Sequence, residues 1–393
     1  MKKVLCVSDY FLPGYLGGGP IRTIDNMRKQ LVGSISISVF TRDRDLGSDK
    51  PYANIQTDQW QDTPEGPIYY ASPASFGPRG LMQVLRQRDF DIIYLNSFFS
   101  PSASIFPYLV LRMLAHKPHI IVAPRGEFSS GAFAIRRYKK QSFVAVASLL
   151  GLYRDVFWHA STRMEAGDIL QVFPEAKDRV YVAPDPVVSS SDNEMPPNLY
   201  KKSGHLKIVF ISRISPKKNL DELIRLLSTI SASVELDIFG PIEDAVYWQL
   251  CEKGIALLPG NIQVAIHGPI SPELVSSTFA CYDLFVFPTH GENFGHVIYE
   301  ALRVGTPVLI SDQTPWAPDA SGGVDVIPLS DVDSWRAAIE NAAAADNDQY
   351  KLRRVAAFEY ARQYSSMSVT KDENLHMFQS VALDDSGSSS PNS

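Results

Sequence analysis

Cysteine is scarce: Cys6, Cys251 and Cys281 are the only three in 393 residues, odd in number and far apart. That argues against a disulfide-built secreted scaffold and a structural zinc site, and it fits a reducing cytoplasm. No apolar run reaches the roughly 20 residues a membrane-spanning helix needs. The longest candidate, Phe143 to Tyr153, is interrupted by Ser148 and Gly151. The opening MKKVLCVSDYF turns polar too soon for a secretory signal. The dinucleotide fingerprint G-x-G-x-x-G is missing, and so are repeats with a period of 20–50 residues. No long basic stripe with interleaved aromatics is present, which argues against a nucleic-acid partner. Asp-x-Asp occurs at 43–45, 89–91, 331–333 and 346–348, scattered as chance would scatter it.

What is present is a folded chain, with 45% apolar and 20% charged residues. Its length suits two domains. The net charge of −6 is uneven: residues 1–190 carry 22 Lys/Arg and 17 Asp/Glu, and residues 191–393 carry 15 and 26. The halves therefore stand at +5 and −11, as expected of two domains in different surroundings. The densest basic cluster is Arg136, Arg137, Lys139 and Lys140, followed at once by the apolar stretch from 143. It reads either as a solvated helix face or as a patch for an anionic membrane surface.

Strand and helix patterns alternate twice. In the first half, strands are expected at 2–8, 35–40, 91–95 and 119–123, with helices at 20–32, 78–88 and 101–115. Residues 185–204, rich in Ser, Pro and charge, mark a linker. Beyond it come strands at 205–211, 233–239, 261–266, 283–287 and 306–310, with helices at 219–230, 242–258, 271–280 and 294–304. Helices near 331–344, 347–365 and 368–380 follow, then a disordered tail. Asn219 and Glu222 resemble a capping box, and Leu220, Leu223, Ile224, Leu227 and Ile230 share one face. The fold class is therefore α/β, with two doubly wound parallel sheets. Ligands are expected at the loops beyond the strand carboxyl ends.

The chemistry-bearing residues fall in such loops. Gly14, Gly17, Gly18 and Gly19 separate the first strand from a helix opening at Pro20; such a loop lets backbone approach an anion, although half of such loops are simply turns. Arg213 and Lys218 follow the strand 205–211. Cations at a helix start oppose the helix dipole, which suggests a bound anion such as a diphosphate. Pro288–His296 follows the next inner strand and contains Glu292, with Glu300 eight residues on. Roughly 0.6 such glutamate pairs arise by chance in this composition, and Glu235–Glu243 is a second one. Context separates them: Glu292 lies in a glycine-containing loop at a helix start, where backbone N–H groups near Asn293–Gly295 could meet phosphate or sugar oxygens. His159 ends a short strand, where it can either point into a cleft or belong to the core. Thr162 and Glu165 read as a capping box.

Together these segments resemble the retaining GT-B glycosyltransferases of family 4, the glycosyl transferases group 1. The resemblance runs over roughly 2–365. It rests on the glycine loop, PRGEFSSGA at 124–132, WHASTRME at 158–165, ISRISPKKNL at 211–220, FPTHGENFGHVIYEAL at 287–302 and GTPVLISD at 305–312. It implies two Rossmann-like domains facing a cleft. An acceptor-side domain would occupy 1–184 and a nucleotide-sugar domain 205–365, with a helix at 366–380 returning to the first domain and a tail at 381–393. It also implies a cytoplasmic enzyme, at the inner membrane face, that moves a hexosyl group from a UDP- or GDP-sugar to a lipid-linked saccharide in bacterial surface polysaccharide synthesis. No metal or other cofactor is implied.

By the same resemblance, Arg213 and Lys218 hold the donor diphosphate and Glu292 contacts the donor sugar. Asn293, Phe294 and Gly295 surround sugar and phosphate, and Glu300 meets the ribose. His159 lies beside the sugar, Gly17 and Gly18 near the phosphates, Gly240 on the nucleotide side, and His267 with Gly268 at the base. Glu292, His159, Arg213 and Lys218 form the expected catalytic set; Arg125 and Glu127 are expected on the acceptor side. APDPV at 183–187 replaces a common Asn-Gly turn, and LNSFF at 95–99 lacks a common histidine. A sugar-nucleotide epimerase, a phosphorylase on the same fold, or a non-catalytic nucleotide- or saccharide-binding subunit are the alternatives.

Overall fold

The computed structural model describes residues 1–114, 117–129, 137–187, 195–197, 200–366 and 369–383. The chain divides into two compact units: residues 1–188 with 368–393, and residues 189–367.

In the first unit the strands are β1 (Lys2–Val7), β2 (Ile35–Arg42), β3 (Trp60–Gln61), β4 (Ile68–Ala71), β5 (Ile92–Leu95), β6 (His119–Val122), β7 (Phe157–Ala160) and β8 (Val180–Val182). They form one sheet in the order β3-β4-β2-β1-β5-β6-β7-β8. Only the β3–β4 pair is antiparallel. The helices are α1 (Gly19–Leu31), α2 (Pro78–Gln87), α3 (Phe106–Arg112), α4 (Arg137–Leu149) and α5 (Arg163–Val172). Each sheet face carries its own core. One gathers Leu81, Tyr108, Leu111, Ala147, Trp158 and Ile169, the other Ile24, Met27, Ile37, Ile121 and Phe378. Burial on both faces is why the parallel strands read as continuous apolar runs.

In the second unit the strands are β9 (His205–Ile211), β10 (Ser233–Phe239), β11 (Ile262–Gly268), β12 (Leu284–Phe287), β13 (Val308–Ser311) and β14 (Val324–Ile327). Their order is β11-β10-β9-β12-β13-β14, all parallel. The helices are α6 (Leu220–Leu227), α7 (Ala245–Ile255), α8 (Pro272–Phe279), α9 (His296–Leu302), α10 (Val332–Ala344) and α11 (Asn347–Ser366). A last helix, α12 (Val369–Val381), belongs to the first unit, where Met377, Phe378 and Val381 are buried. The α/β class with two parallel sheets stands as read from the sequence.

Several details differ from the sequence reading. The helix expected at 101–115 is a π turn (Pro101–Ile105) followed by α3. The edge strands β3 and β14 are too short or too polar to announce themselves. Residues 185–187 are not linker: Asn26 Nδ2 and Gln30 Nε2 donate to the Pro186 and Val187 carbonyls at 2.8 and 2.6 Å, inside the first unit. Asn219 does not cap α6 through its side chain. It adopts φ +60°, and its Nδ2 donates to the Pro288 carbonyl at 2.8 Å. The tail from 384 and most of residues 188–199 lie outside the described residues.

Strand order reverses at β1 in the first unit and at β9 in the second, and ligand loops of such sheets gather there. Gly240, at the end of β10, makes close packing possible beside β9. Its φ is +142°, and an added Cβ would stand 1.8 Å from the Ser212 carbonyl oxygen. Gly240→Ala is therefore expected to lower unfolding stability by about 2–4 kcal/mol, measured by chemical denaturation. An unchanged midpoint would contradict the packing described.

Candidate functional site

The second unit builds a charged cluster where the loops after β9, β12 and β13 meet. After β9, a 3₁₀ turn (Pro216–Lys218) carries Lys218 inward. After β12, residues 288–295 bring Glu292 to it, and Lys218 Nζ donates to Glu292 Oε1 at 2.5 Å. Thr289 Oγ1 donates to the same oxygen at 3.0 Å. Backbone bonds join the loops: His290 N donates to Lys217 O at 2.8 Å and Glu292 N to Gln313 O at 3.0 Å. Ser311 Oγ holds the Thr289 carbonyl at 2.6 Å, and Trp316 Nε1 holds the Phe294 carbonyl at 2.6 Å.

The Lys218 and Glu292 side chains are only 12% and 11% exposed. Burial alone would raise the Glu292 pKa, but the Lys218 and Lys217 charges and the hydrogen bonds outweigh it, so the carboxyl lies below its usual range. Burial lowers the Lys218 pKa, against the opposing pull of Glu292.

Arg213 stands on the same loop, where Nη1 pairs with Glu243 Oε1 at 2.9 Å. The two side chains are 35% and 43% exposed, so the pair is weak and easily exchanged. Sequence spacing does not single out Glu243. It arrives because the loop after β10 runs beside that after β9, with Glu243 N donating to the Ile214 carbonyl at 3.1 Å.

The other expected donor residues are distributed around this cluster. Phe294 is buried against Trp316 and Tyr364, with ring centroids 5.2 and 5.6 Å away, so its side chain is core and its backbone carries any contact. Gly295 takes φ +80° before α9, which begins at His296 rather than 294 and has seven residues. Glu300 is buried on α9 and Asn293 is half-buried. Gly240 N donates to Gly268 O at 2.8 Å. His267, on edge strand β11, stacks on Phe239 at 4.4 Å and meets Asp237 Oδ1 at 2.6 Å. Tyr282 donates to the other oxygen of Asp237.

In the first unit the structure corrects the reading of His159. It does not reach outward: it is 1% exposed and both ring nitrogens are engaged. Nε2 lies 2.7 Å from the Ala183 carbonyl, an obligate acceptor, so it carries the proton. Nδ1 accepts from the Tyr94 hydroxyl at 2.6 Å. Burial, then the Arg125 charge, pushes its pKa down to about 4. His159 is a neutral strut.

Arg125 is held in a left-handed turn at φ +55° and is also internal. It donates to Asn96 Oδ1 (2.8 Å), Ser161 Oγ (3.2 Å), Asp185 Oδ1 (2.7 Å) and the Tyr94 hydroxyl (2.5 Å). Asp185 also accepts from Thr23 and Ser161. Glu127 accepts from Phe98 N, Phe99 N and Ser97 Oγ within 2.9 Å, which braces that loop. Thr162 caps α5 as expected, accepting from Glu165 N at 3.0 Å. The Glu165 carboxylate reaches back to Gly126 N and Ser161 N.

Gly17 and Gly18 open α1, and Asp45 Oδ2 accepts from Tyr15 N and Leu16 N in the same loop. One aspartate of the 43–45 Asp-x-Asp pair thus braces the glycine loop. Arg136 and the side chain of Arg137 lie outside the described residues; Lys139 is exposed, and Lys140 sits 4.9 Å above the Phe99 ring.

Two parallel-sheet units with loops gathered at both reversal points define the GT-B fold. Anabaena HepE, solved in complex with UDP and glucose, superposes with a TM-score of 0.70 at 17% identity, over 97% of this chain and all of that one. Residues 191–356, most of the second unit, match the family model described as Glycosyl transferases group 1. The D-inositol 3-phosphate glycosyltransferase of Xylanimonas cellulosilytica is 26% identical over 185 residues, 44% of this chain and 42% of that protein. The O-antigen chain mannosyltransferase B of Escherichia coli is 27% identical over 164 residues, 40% of this chain and 42% of that protein. The chain thus spans about two fifths of the length of these curated relatives.

The depressed Glu292 pKa gives a sign for pH dependence. Its ionised form stabilises the fold above the usual value of 4.5, and this contribution is lost as pH falls through the lower folded value. The stability gap between wild type and Glu292→Gln should therefore be widest near neutral pH and close below 4.5 in pH-dependent denaturation. A gap that widens on acidification would contradict the ion pair.

Proposed function

We propose that the protein transfers a hexosyl group from a UDP- or GDP-sugar to a hydroxyl of a saccharide acceptor, with retention at the anomeric carbon and without a metal ion. The observation that carries this reading is the buried Lys218–Glu292 pair at the reversal point of a group 1 domain, with Arg213 on the same loop. Departure of a nucleoside diphosphate builds negative charge. Lys218 and Arg213 are fixed cations for it, and in a buried site their field acts with little reorganisation. Arg213 exchanges a weak surface partner for a phosphate it can grip with two parallel hydrogen bonds. Glu292, kept ionised, accepts hydrogen bonds from sugar hydroxyls and fixes the ring, which is where positioning lowers the barrier. Attack on the face the diphosphate leaves, with the leaving phosphate taking the acceptor's proton, needs no enzymic nucleophile.

The acceptor is read as a lipid-linked saccharide of a bacterial surface polysaccharide, handled in the cytoplasm at the inner membrane face. The basic first half, the PRGEFSSGA segment and the cluster at 136–140 support this, as does the similarity to an O-antigen mannosyltransferase.

Thermal unfolding with UDP, GDP, ADP and CMP tests the donor site. A diphosphate at 100 times its dissociation constant adds about 2.7 kcal/mol of stability. One base should give a selective upward shift that Arg213→Ala loses; no shift with any nucleotide would contradict the reading. Glu292→Ala should abolish transfer while circular dichroism remains native, and near-normal turnover would remove Glu292 from the site.

A further inference from the structure

Arg125 and Glu127, the residues expected on the acceptor side, are both spent inside the first unit. The loops after β1, β2 and β5 hold a different charged pair. Arg42 ends β2, Asp9 stands two residues past β1, and Ser102 lies in the π turn after β5. β1 runs between β2 and β5, so the three residues converge where strand order reverses.

The pair is loosely engaged. Arg42 Nη2 meets Asp9 Oδ1 at 3.3 Å and donates to Ser102 Oγ at 3.4 Å, both long for hydrogen bonds to a charged group. Among the described residues, Arg42 Nη1 and Asp9 Oδ2 have no partner. The two side chains are 29% and 26% exposed, so both can be reached. Packing holds the guanidinium instead: its carbon lies 4.4 Å from the Phe76 ring centre and 5.9 Å from that of Tyr10, and its Nε is buried without a partner. Arginines kept for structure in this unit look different. Arg28 donates to the Ile37 and Gly66 carbonyls and to Thr63, and Arg125 fills its fork on four groups. The neighbouring charges are spent too. Asp43 accepts from Arg44 and Thr57, and Asp45 accepts from the N–H groups of Tyr15, Leu16 and Leu46.

We propose that Asp9 and Arg42 recognise the acceptor saccharide, and that the sugar they hold is uncharged. Every sugar hydroxyl can both donate and accept. One hydroxyl donates to Asp9 Oδ2 and its neighbour accepts from Arg42 Nη1, while half-buried Tyr10 offers an amphipathic ring beside them. The mixed sign of the pair sets the class. A uronate or sugar phosphate reaches Arg42 only by meeting the Asp9 charge, and a cationic amino sugar meets the reverse conflict. Asp9 and Asp45 both act electrostatically on Tyr10 beside Arg42, so the surroundings do not favour an anion. The purpose of this site rests on the glycosyltransferase reading above; its chemistry does not.

The test is saturation-transfer NMR on the whole protein with methyl glucoside, methyl mannoside and methyl galactoside, each beside the corresponding methyl uronate and 6-phosphate. At least one neutral glycoside should bind wild type about fivefold or more tightly than its charged counterparts. Arg42→Gln should weaken that binding about tenfold. Asp9→Asn should also weaken it and, by removing the like charge, should bring the uronate level with the neutral sugar. A merely structural pair would not produce that change of preference. Unaltered melting and nucleotide shifts in both variants separate loss of recognition from loss of fold or donor site. The proposal is overturned if wild type binds none of the neutral glycosides, if it binds a uronate or phosphate equally well, or if the variants keep its affinity and preference. Nucleotide shifts without sugar binding overturn this proposal alone. Sugar binding without any nucleotide shift overturns the donor-site reading and leaves the saccharide site standing.

Discussion

A lysine ammonium and a glutamate carboxylate, both taken largely out of water, set the terms for the second unit. Such a pair is a poor stabiliser, because desolvation consumes most of the attraction, yet breaking it is expensive. Lys218 and Glu292 are 74 residues apart and sit on loops after adjacent strands, so their contact fixes those loops to each other. The surroundings serve that contact. Asn219 accepts a left-handed backbone and reaches across to Pro288, Thr289 adds a hydroxyl to the carboxylate, and Ser311 and Trp316 pin the loop from the β13 side.

The first unit contains a second buried ion pair that does something different. Arg125 and Asp185 are each satisfied by several hydrogen bonds, with Tyr94, Asn96, Ser161 and Thr23 completing the network. A guanidinium so fully occupied ties the ends of β5, β6 and β7 to the segment after β8. His159 joins through Tyr94 as a neutral member. The contrast with Arg213 is instructive. Arg213 has one half-exposed partner and can change it, whereas Arg125 cannot let go without stranding Asp185.

Much of this was legible in the sequence, because parallel strands buried on both faces leave plain apolar runs and α6 shows a clean periodic face. Arg213, Lys218 and Glu292 could be found because they sit in loops after such runs. What could not be read depends on contacts distant in sequence. The Asn219–Glu222 spacing imitates a capping box, but the side chain is claimed by Pro288, 69 residues on. His159 has the right position at a strand end, but its direction is set by Tyr94 and Ala183. Glu243 becomes a partner of Arg213 only when two loops are laid together, and Asp185 looked like linker because its partners lie well back in the sequence, at Ser161, Arg125 and Thr23.

In the proposed function, the Lys218–Glu292 cluster separates a sugar from a nucleoside diphosphate. Chromatographic quantification of free UDP and GDP, after incubation of the purified protein with UDP-glucose and GDP-mannose, addresses it directly, since slow transfer to water needs no identified acceptor. Release of one diphosphate, reduced at least a hundredfold in Lys218→Met with the fold intact, is the expected result. Release that persists undiminished in that variant, or its absence with both donors and every other hexosyl nucleotide, would contradict the assignment of chemistry to this cluster.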